Sequence, residues 1–389
     1  MGGGSEGFEG LRPVMPPIHL STAFEFVSEG DAVRSDRGFP IKYGREESPT
    51  VRVLERLLAR LEGFEDALAF SSGMAAIATL ITHAAGRVRR VVTLLEGYST
   101  SIQLLERLSK AMGFELVKAW PSAEAVVECL ECREGVEELV FAEVMTNPTL
   151  KVLDVAELAE GVRGCSGVKV VLDNTFTTPI LLRPSDYGAV ASVQSLTKYV
   201  AGHNDVIGGG VEAGSGLIKE LWDWRRVLGN AMHAFDAYLT YRGLKTLEVR
   251  FARQCRTAAQ VAEFLEDHPR VEEVMYPGLR SSPYHGIASR VFRVRAYGGV
   301  VSFVVKGSAG DAAAVLRRFR LIKPSPSLGG VDSLASIPAF SAARYIPREV
   351  RLRLGIRDSL IRLSVGLEDP QEIIEDLDAA LTGGQRLKP

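Results

Sequence analysis

Residues 168–174 read VKVVLDN, and residues 189–198 read AVASVQSLTK. Each is a short apolar run rich in Val or Ala that breaks off into polar side chains. Near-continuous apolar runs, as opposed to alternating ones, mark strands buried on both faces of a parallel sheet. Upstream, RRVVTLL (89–95) and EELVFAEV (137–144) have the same character. Helical patterns separate most of these runs, as in DVAELAEGVRG (154–164). Strand–helix alternation of this kind indicates an α/β layer architecture with a mostly parallel sheet.

The pattern starts at about Val51. VRVLERLLARLEGF (51–64) places apolar residues at helical spacing and a Gly near its end. ALAFSSGMAAIATLITHAA (67–85) reads as a strand, a tight polar turn and a helix. Residues 1–50 are poor in periodic pattern and rich in Gly and Pro, which predicts an extended arm with a mobile Gly-rich start. Beyond Tyr241 the alternation loosens. A long helical pattern over 244–268 is followed by a strand at GGVVSFVV (298–305), a helix at GDAAAVLRRFR (310–320), a strand at LIRLSVGLE (360–368) and a helix at PQEIIEDLDAAL (370–381). The expected division is an arm over 1–50, a larger α/β domain over 51–245 and a smaller α+β domain over 246–389.

The chain has 389 residues and a formal net charge of −2, so nothing electrostatic favours a nucleic acid or a membrane surface as partner. No apolar stretch approaches the roughly 20 residues of a membrane span. MGGGSEGFEG lacks the basic and apolar segments of a secretory signal, and Glu6 stands where myristoylation wants Ser or Thr. A cytoplasmic protein acting on a small molecule is the expectation. Four cysteines do not make a disulfide framework in a chain of this length. Cys129 and Cys132 form a C-x-x-C inside AEAVVECLECRE (123–134), which reads as an amphipathic helix carrying a structural cysteine pair. With six scattered histidines, no metal site is expected.

Ligands of open α/β sheets gather at the carboxyl ends of the strands. Three polar signals lie there. Asp173 follows the run 168–172, where an acid costs desolvation unless a cation meets it. It is also readable as a loop-capping carboxylate. Lys198 follows the run 189–194, where desolvation can turn its side chain into a nucleophilic amine, with the hydroxyls of Ser195 and Thr197 beside it for an anion. Alone it is also a solvated strand terminus. Gly73 and Met74 open a helix after Ser71-Ser72, a phosphate cradle or an ordinary N-cap. GGGVEAG (208–214) fits no nucleotide fingerprint. Taken together, a Schiff-base amine, a partner for a protonated ring nitrogen and a phosphate anchor are what pyridoxal 5′-phosphate requires of a protein.

With PPIHLSTAFEF (16–26), FSSGMAAI (70–77), TNPTLKVLD (146–154), LDNTFTTP (172–179), SLTKYVAGHNDVIGG (195–209), FDAYLTYRGLKTL (235–247), SLGGVDSLASIPA (327–339) and LIRLSVGLED (360–369), the chain resembles the Cys/Met-metabolism family of pyridoxal phosphate enzymes over nearly its whole length. That family holds cystathionine γ-synthases, cystathionine γ- and β-lyases, methionine γ-lyases and homoserine-ester sulfhydrylases. The resemblance implies the aspartate-aminotransferase-like architecture, fold-type I. It implies Lys198 as Schiff-base lysine and proton shuttle, Asp173 as partner of the ring nitrogen, and Gly73, Met74, Ser195 and Thr197 as phosphate ligands. It implies Tyr98 as the aromatic stacked on the ring and assisting proton transfer to the leaving group. Asn147, Ser327 and Arg362 match groups for the substrate α-carboxylate, where a planar guanidinium suits it. Tyr43 and Arg45 match a pair that reaches a neighbouring subunit's cofactor, in a homotetramer built of two dimers.

The sequence departs from the family at three places. Ser48-Pro49-Thr50 stand where Asn-Pro-Thr is usual. Ser99-Thr100-Ser101 follow Tyr98, so the cysteine associated with methionine γ-lyases is absent. Pro326 stands where members that handle cystathionine often carry a Glu for the distal amino group. The implied activity is γ-elimination from a sulfur amino acid. The alternatives are γ-replacement on an acylated homoserine, an aminotransferase on the same fold, and a cofactor-binding sensor or scaffold without turnover.

Overall fold

The computed structural model describes residues 13–383 except 27 and 29. The Gly-rich start therefore lies outside the described residues.

Seven strands form the larger sheet: β1 (Asp66–Phe70), β2 (Arg90–Leu94), β3 (Glu115–Ala119), β4 (Glu138–Glu143), β5 (Val168–Asp173), β6 (Ala191–Gln194) and β7 (Gly209–Ala213). Their order is β1-β7-β6-β5-β4-β2-β3. Pairing is parallel from β3 through β6, and β7 runs antiparallel between β6 and β1. Every residue of β1, β4, β6 and β7 is buried, as strands covered on both faces must be. One apolar layer, including Leu54, Leu58, Val140 and Leu172, covers one face. Another, including Leu68, Ile77, Leu80 and Leu139, covers the other.

A second sheet holds β8 (Val271–Met275), β9 (Val300–Val305), β10 (Lys323–Pro324), β11 (Leu334–Ser336) and β12 (Leu360–Ser364), in the order β10-β11-β12-β9-β8 and mostly antiparallel. The helices Leu247–Glu266, Ala309–Arg318 and Pro370–Thr382 pack against it around Phe303, Ile361 and Leu377. This is the α/β layer with a smaller α+β sheet that the sequence predicts.

Residues 30–48 carry isolated bridges only, and ion pairs root them to the large sheet. Arg37 is buried against Asp66, at 2.6 Å, and Glu55, at 2.8 Å, while Arg52 bridges Asp36 and Asp66. Arg225 closes the network onto Glu55 at 2.7 Å.

The cysteines correct the sequence expectation twice. The helix predicted over 123–134 covers only Ala123–Glu128. The Glu138 carboxylate gathers the amides of Glu131 and Cys132, and Arg90 bonds the carbonyl of Cys129, so the backbone leaves the helix there. Cys132, at φ 50°, is disulfide-bonded to Cys165 and not paired with Cys129, which is a free thiol. The bridge joins the loops that lead into β4 and β5, at the sheet edge opposite the strands' carboxyl ends.

Candidate active site

A cavity of about 640 Å³ opens over the carboxyl ends of β1, β4, β5 and β6 and is bounded on its far side by residues 326–328, 340–342, 344–345 and Arg362. Ten of the residues singled out in the sequence line it: Gly73, Met74, Tyr98, Asn147, Asp173, Ser195, Thr197, Lys198, Ser327 and Arg362. Tyr43 and Arg45 do not. Arg45 lies 5.4 Å from the centroid of the Tyr43 ring and donates to the carbonyl of Arg226.

Each wall follows from local structure. The hydroxyl of Ser72 accepts from the Ala75 amide at 3.0 Å, capping the helix Gly73–Ala85 and leaving the Gly73 and Met74 amides without helical partners. A Cβ at Gly73 would sit 3.0 Å from the Ser195 Cβ, so glycine is what lets this turn close on the loop after β6. Thr175 ties the neighbouring strand ends together. Its hydroxyl accepts the Ser195 amide at 2.9 Å, and its amide donates to Asp173 Oδ1 at 2.9 Å. Thr197 Oγ1 accepts the Gly208 amide at 3.0 Å.

Lys198 Nζ donates to Ser327 Oγ at 3.1 Å, across the junction of the two sheets. Burial, with the Arg362 cation second, lowers its ammonium to about 8. Arg362 is itself buried. Its Nη1 donates to Asn147 Oδ1 at 2.9 Å and its Nη2 to the carbonyl of Pro326 at 2.6 Å, while Nε has no partner. Burial pushes this guanidinium down to about 10.

Sequence reasoning passed over Glu143, Thr175 and Arg344. Glu143 ends β4 in register with Asp173 at the end of β5. The signal was present: EELVFAEV, like VKVVLDN, is an apolar run closed by an acid. Burial raises the carboxyls of both Glu143 and Asp173, Glu143 further through repulsion from Asp173. Behind them Glu62, held by Asn174 and Gln194, is pushed up to about 8 by burial, and Glu212 well above the carboxylate range. Arg344 lies at the cavity mouth, 4.3 Å from the centroid of the Tyr345 ring.

Residues 3–382 match the family model described as the Cys/Met metabolism PLP-dependent enzymes. The chain belongs to this family. It is 39% identical to a mouse (Mus musculus) cystathionine gamma-lyase over 371 residues, 95% of this chain and 90% of that one. Among solved structures, a cystathionine gamma-lyase of Micromonospora echinospora superposes with a TM-score of 0.86 at 39% identity, covering 97% and 96% of the two chains. A cystathionine gamma-synthase of Xanthomonas oryzae pv. oryzae, solved with cystathionine, gives 0.88 at 34% identity over 95% and 93%. Lyases and synthases stand side by side among the relatives, so the likeness establishes a pyridoxal phosphate-dependent enzyme of sulfur amino-acid metabolism on the fold-type I architecture.

The residues present fit that cofactor. Among the described residues Glu62, Glu143, Asp173 and Glu212 form no ion pair, and Glu143 and Glu212 each leave a buried oxygen without a hydrogen bond. Buried carboxyls with no cation of this chain paired to them suit a protonated pyridine nitrogen. The glycine-tight turn at Gly73, with two free amides and the Ser195 and Thr197 hydroxyls, suits a phosphate.

Proposed function

We propose that this protein is a carbon–sulfur lyase that eliminates the γ-substituent of a sulfur amino acid, consuming one water and releasing 2-oxobutanoate, ammonia and a thiol. The observation that carries this reading is the contact between Lys198 and Ser327 beside Arg362. An amino acid whose carboxylate lies on the Arg362 fork has its Cα next to the amine of Lys198.

Pyridoxal phosphate, when bound, supplies an aldehyde that condenses with amines and a ring that accepts electrons from substrate carbon. The Gly73 and Met74 amides, with the Ser195 and Thr197 hydroxyls, would hold its phosphate. Asp173 would partner the ring nitrogen, and Tyr98 would cover the ring. Lys198 would carry the cofactor through its amine and serve as the base for the Cα proton. Lys198, the base beside the substrate, would also take the Cβ proton that must go before the sulfur leaves from Cγ, and the Tyr98 hydroxyl would supply the proton to the leaving sulfur. Asn147, Ser327 and Arg362 orient the carboxylate. Tyr43 and Arg45 lie outside this chain's own cavity, which supports their service at a neighbouring subunit's site and a working unit of two copies or more, with two dimers forming a tetramer.

The cavity wall favours certain leaving groups. Among the described residues its acids are Glu143 and Asp173, both at strand ends, whereas the lining also carries Arg344 and the apolar Ile207, Phe340 and Tyr345. Among the described residues nothing anionic beyond these strand ends meets a distal ammonium, and Pro326 offers none. Methionine, homocysteine or an acylated homoserine fits this wall better than cystathionine. The same feature favours γ-replacement on a homoserine ester as the second reading, because both reactions share every step until a thiol captures the intermediate.

The test is a substrate panel on purified holoenzyme, scored for 2-oxobutanoate with and without added thiol. Product from methionine or homocysteine without thiol supports the lyase. Product from homoserine esters that diverts into thioether when thiol is added supports the transferase. A Lys198→Ala variant is expected to lose the visible absorbance of the lysine-bound cofactor and the activity together. If it kept both, the assignment of Lys198 would be wrong.

A further inference from the structure

Glu143 is a buried acid that the steps above do not use. Its Oε1 accepts the backbone amide of Tyr98, the residue that caps the helix Ser99–Met112. The carboxyl also lies close against the preceding residue, where a Cβ at Gly97 would sit 3.0 Å from Oε1. Its Oε2 is buried and has no partner among the described residues. Across the sheet it sits directly opposite Asp173.

We propose that Glu143 is a positioning residue for this site: as an uncharged acid it clamps the Tyr98 main chain, and so leaves Asp173 the single anion facing the ring. The proposal rests on the reading that Tyr98 and Asp173 flank the cofactor. Two carboxyls in register on adjacent buried strands cannot both ionise without a cation between or beside them. The groups acting on Glu143 are Asp173 from β5 and Glu96 from the segment after β2, both acidic. The cation paired with Glu96, Lys151, is held by that carboxylate at 2.7 Å and by the carbonyl of Leu354 at 2.7 Å. Asp173 has the better claim to the one negative charge, because both the amide and the hydroxyl of Thr175 favour its charged form, whereas Glu143 has a single amide donor and two acidic neighbours. Glu143 therefore keeps its proton. Its carbonyl oxygen still accepts the Tyr98 amide, which an uncharged acid and an amide do equally well.

That equivalence supplies the test. In holoenzyme, the pH midpoint of the visible absorbance of the lysine-bound cofactor reports charge near the ring. An ionised carboxylate in contact range contributes about 1–3 pH units to a neighbouring group. Glu143→Gln, which keeps the acceptor and the neutral charge, is expected to move the midpoint by less than about 0.5 unit. A larger fall would mean that a negative charge had been removed, and the proposal would be overturned. Glu143→Ala, which deletes the acceptor, is expected to weaken binding of pyridoxal phosphate to the apo-protein by about tenfold, with Gln restoring it. Wild-type affinity in the Ala variant would also overturn it, and if that variant does not fold the Gln titration decides alone. An Asp173→Ala variant distinguishes failure of the underlying reading. If that change also left the midpoint untouched, the cofactor would not lie where Asp173 faces it, whatever Glu143 does.

Discussion

The amine of Lys198 offers the most exacting test of the site. Burial and the neighbouring Arg362 lower its ammonium to about 8 from the ordinary 10.5. At pH 7 about a tenth of the apo-protein then carries a neutral amine, against roughly 3 in 10,000 for a solvated lysine, an advantage of about 300-fold in reactive form. Mixing apo-protein with pyridoxal phosphate from about pH 6 to about pH 10, and following the visible absorbance, should show a capture rate that rises and levels off with a midpoint near 8. Arg362→Met removes the neighbouring cation, so its midpoint should rise. It should stay below 10.5, because burial, the larger cause, remains. The same shift bears on stability. The folded apo-protein disfavours the ammonium, so the penalty is fully present below pH 8 and disappears as pH climbs from 8 to 10.5. Lys198→Met should therefore stabilise the apo-protein at pH 7 by about 3 kcal/mol in urea unfolding, less whatever its own packing adds or removes, and the gain should vanish above about pH 10.5. A capture midpoint at or above 10, or a stability gain independent of pH, would refute the argument.

Two further outcomes are expected. Gly209→Ala places a Cβ 2.3 Å from the Ser72 carbonyl oxygen, and both sides of that contact are main chain. Relief must shift the turn before Gly73, at a cost of about 1–3 kcal/mol, and cofactor affinity and melting temperature should fall together. Wild-type values for both would contradict the close approach. Lys151 and Glu96 form a buried ion pair at 2.7 Å that also carries Thr149 and Leu354. Glu96→Gln and Lys151→Met should each cost about 3–5 kcal/mol in denaturant unfolding. The double variant should cost about 1–3 kcal/mol less than their sum. Additivity within about 0.5 kcal/mol would mean that the two groups do not act as a pair.

Asp173 and Lys198 were legible because each interrupts an unbroken apolar run, and in a parallel sheet such an interruption falls at the ligand-binding edge. Glu143 closes a run in the same way but does not stand out, since the apolar Val144 and Met145 follow it directly and the run reads on past it. The strand β7 was not legible at all. Its sequence GGVEA lacks β-propensity, and its glycines are there because the Ser72 carbonyl presses against Gly209, a fact of packing and not of pattern. Register with β6 and β1, and not local preference, makes it a strand. The network of Arg37, Arg52, Glu55, Asp66 and Arg225 was hidden for a related reason. Its members lie in four separate segments, each of which reads alone as solvated charge. The cysteines misled because nearness in sequence, at 129 and 132, was taken for nearness in space, while the true partner lies 33 residues on.

The Cys132–Cys165 bridge turns the intervening segment into a covalent ring. Inside that ring lie all of β4, Glu143, Asn147 and Lys151, so one wall of the cavity belongs to a closed macrocycle. A protease that cuts anywhere between residues 132 and 165 would leave the two fragments tethered. The nick would show on a gel only after a reductant had opened the bridge, and the severed protein would pass for intact under oxidising conditions.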